Sequence, residues 1–172
     1  MTKSEVELIE ACLSNDRIAQ KKLYEKYKDA MYTLAVRMTG DFDLANDVLQ
    51  EAFINVFRSL AKFRRESTLG AWIKTIVVRT ALKTIKKQVH FEPVENQRMD
   101  GYVDWGHYLD AEYLEKAILS LPEGYKAVFL LIEVEGYSHK EVAEMLNISV
   151  GTSKSQLFYA KKRLRKLVSQ MI

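Results

Sequence analysis

A chain of 172 residues with 48% hydrophobic residues is long enough to bury one sizeable core or two small ones. Seven glycines and two prolines are too few for the many turns of a sandwich or barrel, which leaves long helices. Net charge is only +3, the single Cys12 excludes an internal disulfide and fits a reducing compartment, and no run of about 18 apolar residues is present to span a membrane. Met1–Asn15 lacks the basic start and unbroken apolar core of a secretory signal, so a soluble cytoplasmic protein is expected.

In chain order, Ser4 followed by Glu7 has capping-box spacing and opens a short helix to about Leu13. Ser14-Asn15-Asp16 breaks it and caps the next, whose apolar residues Ile18, Leu23, Tyr27, Ala30, Met31, Leu34 and Met38 keep a helical period to Thr39. Gly40 is a suitable stop. Asp43 is the expected cap of a third helix with Leu44, Val48, Ala52, Phe53, Val56, Phe57 and Leu60 on its apolar face. The polar, basic segment from Phe63 to Gly70 breaks the pattern. A fourth helix is predicted from about Leu69 to Gln88, with Trp72, Ile73, Ile76, Val77, Thr80 and Ile85 on its apolar face. Residues 91–109, with Pro93, Gly101, Gly106 and no clean period, read as a linker. Asp110 is placed to cap a helix to Ser120, and Pro122 to take the first position of another that Glu135-Gly136 ends. Ser138-His139-Lys140-Glu141 is a second capping box, opening a short helix, and a final helix starts near Val150.

Charge is unevenly distributed along this plan. Asp41, Asp43, Asp47 and Glu51 occur with no base between Asp41 and Phe57, whereas Lys62–Lys87 carries eight bases and one acid. Glu92–Glu115 carries seven acids against Arg98, and Gly151–Ile172 carries six bases and no acid. Two cationic surfaces separated by an acidic connector fit a polyanionic partner. The expected fold is therefore all-α, with two small helical domains at 1–90 and 110–172 joined by an acidic linker at 91–109.

His139–Phe158 has the spacing of a helix-turn-helix. Ala143 is small where two helices approach, Asn147 stands where the turn needs a positive φ, and Ser149 is the expected N-cap. Leu146, Ile148 and Val150 are the expected apolar plugs. The following helix would present Thr152, Ser153, Lys154, Ser155 and Gln156 at its start, where hydroxyls and amides meet base edges and lysine meets phosphate. Enzyme chemistry has no comparable support. His90, His107 and His139 lack a metal-ligand spacing, and there is no phosphate-cradling glycine loop or nucleophile elbow, so no catalytic residue, metal or cofactor is expected.

Three stretches carry a resemblance. "DLANDVLQEAFINVF" (Asp43–Phe57), "FRRESTLGAWIKTIVVRTALKTIKK" (Phe63–Lys87) and "LPEGYKAVFLLIEVEGYSHKEVAEMLNISVGTSKSQLFYAKKRLRKL" (Leu121–Leu167) resemble, in order and spacing, the motifs of bacterial RNA polymerase sigma factors of the extracytoplasmic-function (ECF) type. The resemblance implies a factor that makes no covalent bond itself, joins core RNA polymerase, places it on the −10 and −35 promoter elements and helps melt them. It implies docking on the β′ clamp helices through Asp47, Gln50, Glu51, Phe53 and Asn55. It puts −10 reading and capture of a flipped base on Phe63, Arg64, Arg65, Glu66, Ser67, Thr68, Leu69 and Gly70, with Lys74, Arg79, Lys83, Lys86 and Lys87 along the backbone path. It assigns −35 reading to Thr152, Ser153, Lys154, Ser155, Gln156, Phe158 and Tyr159, with Lys161, Lys162 and Arg163 on phosphates and the domain leaning on the β flap. The linker would thread toward the polymerase active-site channel, and an anti-sigma factor is an implied partner. Ser153, Gln156 and Tyr159 depart from the motif's Val, Arg and Arg, and Arg79 and Lys83 from its Asn and Asp. Glutamine for arginine moves the expected preference from guanine toward adenine. The rival reading is a helix-turn-helix regulator acting without core polymerase.

Overall fold

The computed structural model describes residues 3–91 and 111–169, with side chains described over 4–85 and 113–167 and at Ser169. The described residues form eight α-helices and no strand. The chain divides into two compact units, Met1–Thr84 and Ile85–Ile172. Of the expected linker, Phe91 ends α4, and the rest of it, the Asp110 cap and the side chains of Lys86 and Lys87 lie outside the described residues.

In the first unit, α1 (Lys3–Leu13) and α2 (Arg17–Thr39) are joined by a turn in which Asn15 takes φ 60°. The Asp16 carboxylate accepts from the N–H groups of Ile18 at 2.8 Å and Ala19 at 3.2 Å, which stops α1 and starts α2. Gly40 closes α2 at φ 72°, its N–H donating to the Val36 carbonyl at 2.8 Å. α3 (Phe42–Ser59) is capped by Asp41, not Asp43. The left-handed Gly40 redirects the chain, so Asp41 is the first extended residue (φ −136°), and its carboxylate takes the Leu44 N–H at 2.8 Å. Asp43 falls in the first turn, where its charge still suits the helix dipole. A 3₁₀ turn (Leu60–Lys62) and a loop lead to α4 (Leu69–Phe91), whose first turn is capped by Thr68, its hydroxyl oxygen accepting from the Ala71 N–H at 3.2 Å.

α2 and α3 pack together, with α1 against α2. Ile9, Leu23, Leu34, Met38, Val48, Ala52, Val56, Leu60, Ile73 and Val77 are buried between the helices. Ala45, Leu49, Val78 and Ala81 join them beyond the apolar faces read from the sequence, while Trp72, Ile76 and Ile85 are half-buried. Cys12 is buried, and burial raises its thiol pKa.

In the second unit α5 (Ala111–Leu119) is followed by α6 (Glu123–Phe129), which continues as a π-helical turn, Leu130–Val134. Pro122 is the N-cap and not the first helical residue, because its ψ of 144° is extended. The rod ends as Glu135-Gly136 implied: Gly136 takes φ 78° and the Tyr137 N–H donates to the Leu131 carbonyl at 3.0 Å. α7 (His139–Leu146) opens with the full capping box of Ser138 and Glu141. α8 (Val150–Ser169) packs on α5, α6 and α7. Ala117, Leu121, Ala160 and Leu164 form its core, with Ile118, Tyr125, Phe129 and Leu167 against them. Among the described residues no helix is long and apolar enough to cross a membrane.

Candidate nucleic-acid interface

The turn of the helix-turn-helix is built as its residues dictate. Asn147 takes φ 55° and ψ 50°, and its N–H reaches back to Ala143 and Glu144. The Ile148 N–H donates to the Ala143 carbonyl at 3.0 Å, so the turn closes on the small buried Ala143. Ser149 caps α8, accepting from the Thr152 N–H at 2.9 Å and sharing a hydrogen bond with the Thr152 hydroxyl, also at 2.9 Å. Leu146 and Ile148 are half-buried plugs, but Val150 is 40% exposed. As the first helical residue after a three-residue turn, it lies outside the α7–α8 contact.

Helical geometry then sorts the residues of α8. Ser153, Leu157, Ala160 and Leu164 form the inward row and are buried. Lys154, Ser155, Phe158, Tyr159, Lys162 and Arg163 face outward, with Phe158 60% and Tyr159 49% exposed. Thr152 is half-buried at the start of this outward face. The two exposed rings meet edge to face at 5.4 Å, and Tyr159 stacks on Tyr125 of α6 at 6.1 Å and 18°. An apolar pair rimmed by ammonium and guanidinium groups suits thymine methyls beside phosphates.

Three expected −35 residues are placed differently from the sequence reading. Ser153 is 0% exposed, and its hydroxyl shares a 2.9 Å hydrogen bond with Nδ1 of His139. It ties the start of α7 to α8 and cannot touch a base, because it lies on the inward row with the buried Leu157 and Ala160. Gln156 is half-buried, with its amide oxygen enclosed and without a hydrogen-bond partner. Lys161 is half-exposed and ion-paired to Glu133 of the π-helical turn.

In the first unit, the loop before α4 exposes Arg64, Arg65, Glu66, Ser67 and Thr68. Arg65 sits at φ 60°, in the left-handed region. Phe63 is half-buried against Trp72, with ring centroids 5.2 Å apart, so it anchors the loop base. Leu69 is fully buried and belongs to the core, not to a reading surface, because it is the first inward position of α4. Gly70 is half-buried where Tyr27 crosses: a Cβ there would lie 3.2 Å from the tyrosine ring. Arg79 and Lys83 are exposed and Lys74 is half-buried along α4.

On α3, Asp47 and Gln50 are exposed and Glu51 and Asn55 half-buried, forming one polar face. Phe53 lies on the opposite side, 3% exposed, edge to face with Tyr24 at 4.8 Å, and is core. Glu51 pairs with Lys83 of α4 at 3.4 Å, both side chains being well exposed. Such a pair is worth about 0–1 kcal/mol, little enough to exchange for another charged partner. Among the described residues no group of His, Cys, Asp and Glu is arranged to hold a metal ion.

The sequence reading missed His139, Tyr125, Gly124 and Glu133, which hold α8 from behind. Their one local signal was the small Ser153 on the inward row, with room for a neighbouring side chain.

Two helical units, the second a helix-turn-helix with a cationic outer face, define an all-α protein of the helix-turn-helix class. Residues 23–90 match the family profile of sigma-70 region 2, and residues 111–164 that of sigma-70, region 4. The chain is 29% identical over 181 residues to the ECF RNA polymerase sigma-E factor of Haemophilus influenzae, covering 96% of this chain and 95% of that one. It is 28% identical over 167 residues to the ECF RNA polymerase sigma factor SigW of Bacillus subtilis, covering 88% and 89%. In fold it is similar to the sigma factor RpoE of Bartonella quintana, solved with the anti-sigma factor NepR, with a TM-score of 0.67 and 24% identity over 87% of this chain and 96% of that one. The chain therefore belongs to the sigma-70 family, in its extracytoplasmic-function group of RNA polymerase sigma factors.

Proposed function

We propose that this sigma factor binds core RNA polymerase through the polar face of α3 and reads promoters with two separate cationic surfaces. Asp47, Gln50, Glu51 and Asn55 are the docking residues for the basic clamp helices of β′, and the second unit leans on the β flap. Arg64, Arg65, Ser67, Thr68 and Gly70 form the rim that receives an unstacked −10 base, a step that costs a few kcal/mol. Lys74, Arg79, Lys83, Lys86 and Lys87 track the backbone beside it. Thr152, Lys154, Ser155, Phe158 and Tyr159 read the −35 element, and Lys162 and Arg163 add phosphate charge. The protein works in the cytoplasm, without catalytic chemistry of its own, and an anti-sigma factor holds it between uses.

The observation that carries this reading is the outward stripe of α8, where lysines and exposed rings line one helix face while an acidic docking face occurs on the same chain. The test is reconstituted transcription. Purified protein added to core polymerase is expected to start transcripts at a defined promoter. DNA binding without core association would favour a free-standing helix-turn-helix regulator, and core association without transcripts would favour a regulator of another sigma factor.

A further inference from the structure

Gln156 occupies the position where the family motif has an arginine, yet its amide turns away from the outward stripe. It stands three residues after the buried Ser153 and four before the buried Ala160, on the flank of the row that packs inward. Its amide oxygen is enclosed and unpartnered. A Cβ built on Gly124 would lie 2.6 Å from that oxygen, 3.2 Å from the amide nitrogen and 3.3 Å from the carbon between them. The amide thus fills the space that any side chain at 124 would need. Gly124 is in the first turn of α6, whose N-cap, Pro122, brings no side-chain acceptor. The amide oxygen makes no hydrogen bond there, so its gain from the positive end of α6 is electrostatic, and what the amide gives α8 is packing. A guanidinium in the same space would bring only donors to a helix end that already presents donors. The next residue, Tyr125, carries the ring on which Tyr159 stacks, so one turn of α6 supports two side chains of α8.

We propose that Gln156 is a positioning residue and not a base reader: its amide braces the recognition helix α8 against the first turn of α6 at Gly124. Base preference then falls on Thr152, Lys154, Ser155, Phe158 and Tyr159, with Tyr159 held flat by Tyr125. An added methyl at 124 would displace the Gln156 amide from this place.

Two measurements test this, and only the second rests on the promoter-reading proposal. The first is a double-mutant cycle on thermal unfolding of the full-length chain. Gly124→Ala gains helix propensity but displaces the Gln156 amide, so it is expected to be more favourable in the Gln156→Ala background than in the parent. Strictly additive effects would overturn the brace. The second is occupancy by holoenzyme of promoters carrying every single-base change in the −35 element. Gln156→Ala is expected to weaken all of them by on the order of fivefold with the order of preference unchanged. Gln156→Glu, which keeps an oxygen at the positive end of α6, is expected to stay within about threefold of the parent, whereas a carboxylate facing DNA would be expelled. Tyr159→Ala is expected to flatten preference at the base pairs it faces. Loss of preference at a single base pair in Gln156→Ala, or collapse of binding in Gln156→Glu, would overturn the assignment. A parent holoenzyme with no −35 preference at all would instead overturn the promoter reading and leave the unfolding cycle to judge the brace.

Discussion

Lys126 is 7% exposed in α6, and its ammonium donates to the Leu119 carbonyl at 3.4 Å. Burial pushes its pKa below the ordinary lysine range, and the nearby Glu123 carboxylate opposes that only in part. The folded chain therefore releases this proton at a lower pH than the unfolded chain does. Between the two pKa values the unfolded state binds more protons, so stability rises with pH through that interval up to the ordinary lysine value. Lys126→Met should abolish this alkaline rise and stabilise the fold at neutral pH by about 1 kcal/mol, since a buried charge with one long hydrogen bond gives way to an apolar chain. Chemical denaturation at neutral and alkaline pH measures both effects. Lys126 shows what single residues conceal in a sequence. Lysine within an amphipathic run reads as exposed, and serine at a helix start reads as a donor to DNA, yet Lys126 and Ser153 are both inside. Periodicity assigns residues to rows, but which row faces inward on α8 depends on where α6 and α7 pack. Asn147, Gly40 and the Ser138 cap were legible because their conformations follow from the residue and its near neighbours.

Elements inherit their boundaries from such local chemistry. The capping box of α7 joins the Ser138 hydroxyl to the Glu141 N–H at 3.3 Å, while Glu141 accepts from the Ser138 N–H at 2.8 Å and from its hydroxyl at 2.7 Å. These bonds, the hydroxyl first, hold the Glu141 carboxyl below the usual carboxylate range. A depressed carboxylate pKa adds stability above the unfolded value, and that stability disappears as pH falls through the folded one. Ser138→Ala removes the N-cap, a loss of about 1 kcal/mol at neutral pH, and because Glu141 also loses the hydroxyl bond the difference from the parent should narrow on acidification. Urea unfolding at several pH values reads this, and a difference that widens in acid would refute it. Other boundaries were beyond sequence reasoning. The run from Ala127 to Val134 reads as unbroken helix, and nothing in it announces the wider π turn at Leu130–Val134. That turn brings Glu133 to Lys161 of α8, a contact distant in sequence. The shift of the α3 cap from Asp43 to Asp41 has a nearer cause, since the angle at which the chain leaves Gly40 decides which aspartate is extended.

For the whole molecule, the division into two compact units has a thermodynamic consequence. Trp72 lies in the first unit beside Phe63, so in a Trp105→Phe chain tryptophan fluorescence follows that unit alone. A Ser138→Ala shift of the helical signal in circular dichroism with the fluorescence midpoint unchanged would show that the units unfold separately, and a common shift that they unfold together. The same separation applies to function. Asp47 and Lys154 are both exposed and belong to different units, so their losses should be of different kinds. Asp47→Lys reverses charge on the docking face and should weaken core binding while promoter preference within the assembled enzyme stays unchanged. Lys154→Ala should leave core binding intact, because it removes one cation from the outward stripe of α8. Releasing one fewer counterion reduces the magnitude of the salt slope of promoter binding by about 1 and weakens every promoter similarly. Holoenzyme affinity measured against potassium concentration on two promoters that differ at −35 decides the matter. An unchanged slope would show that Lys154 meets no phosphate, and a loss confined to one promoter would show that it reads a base.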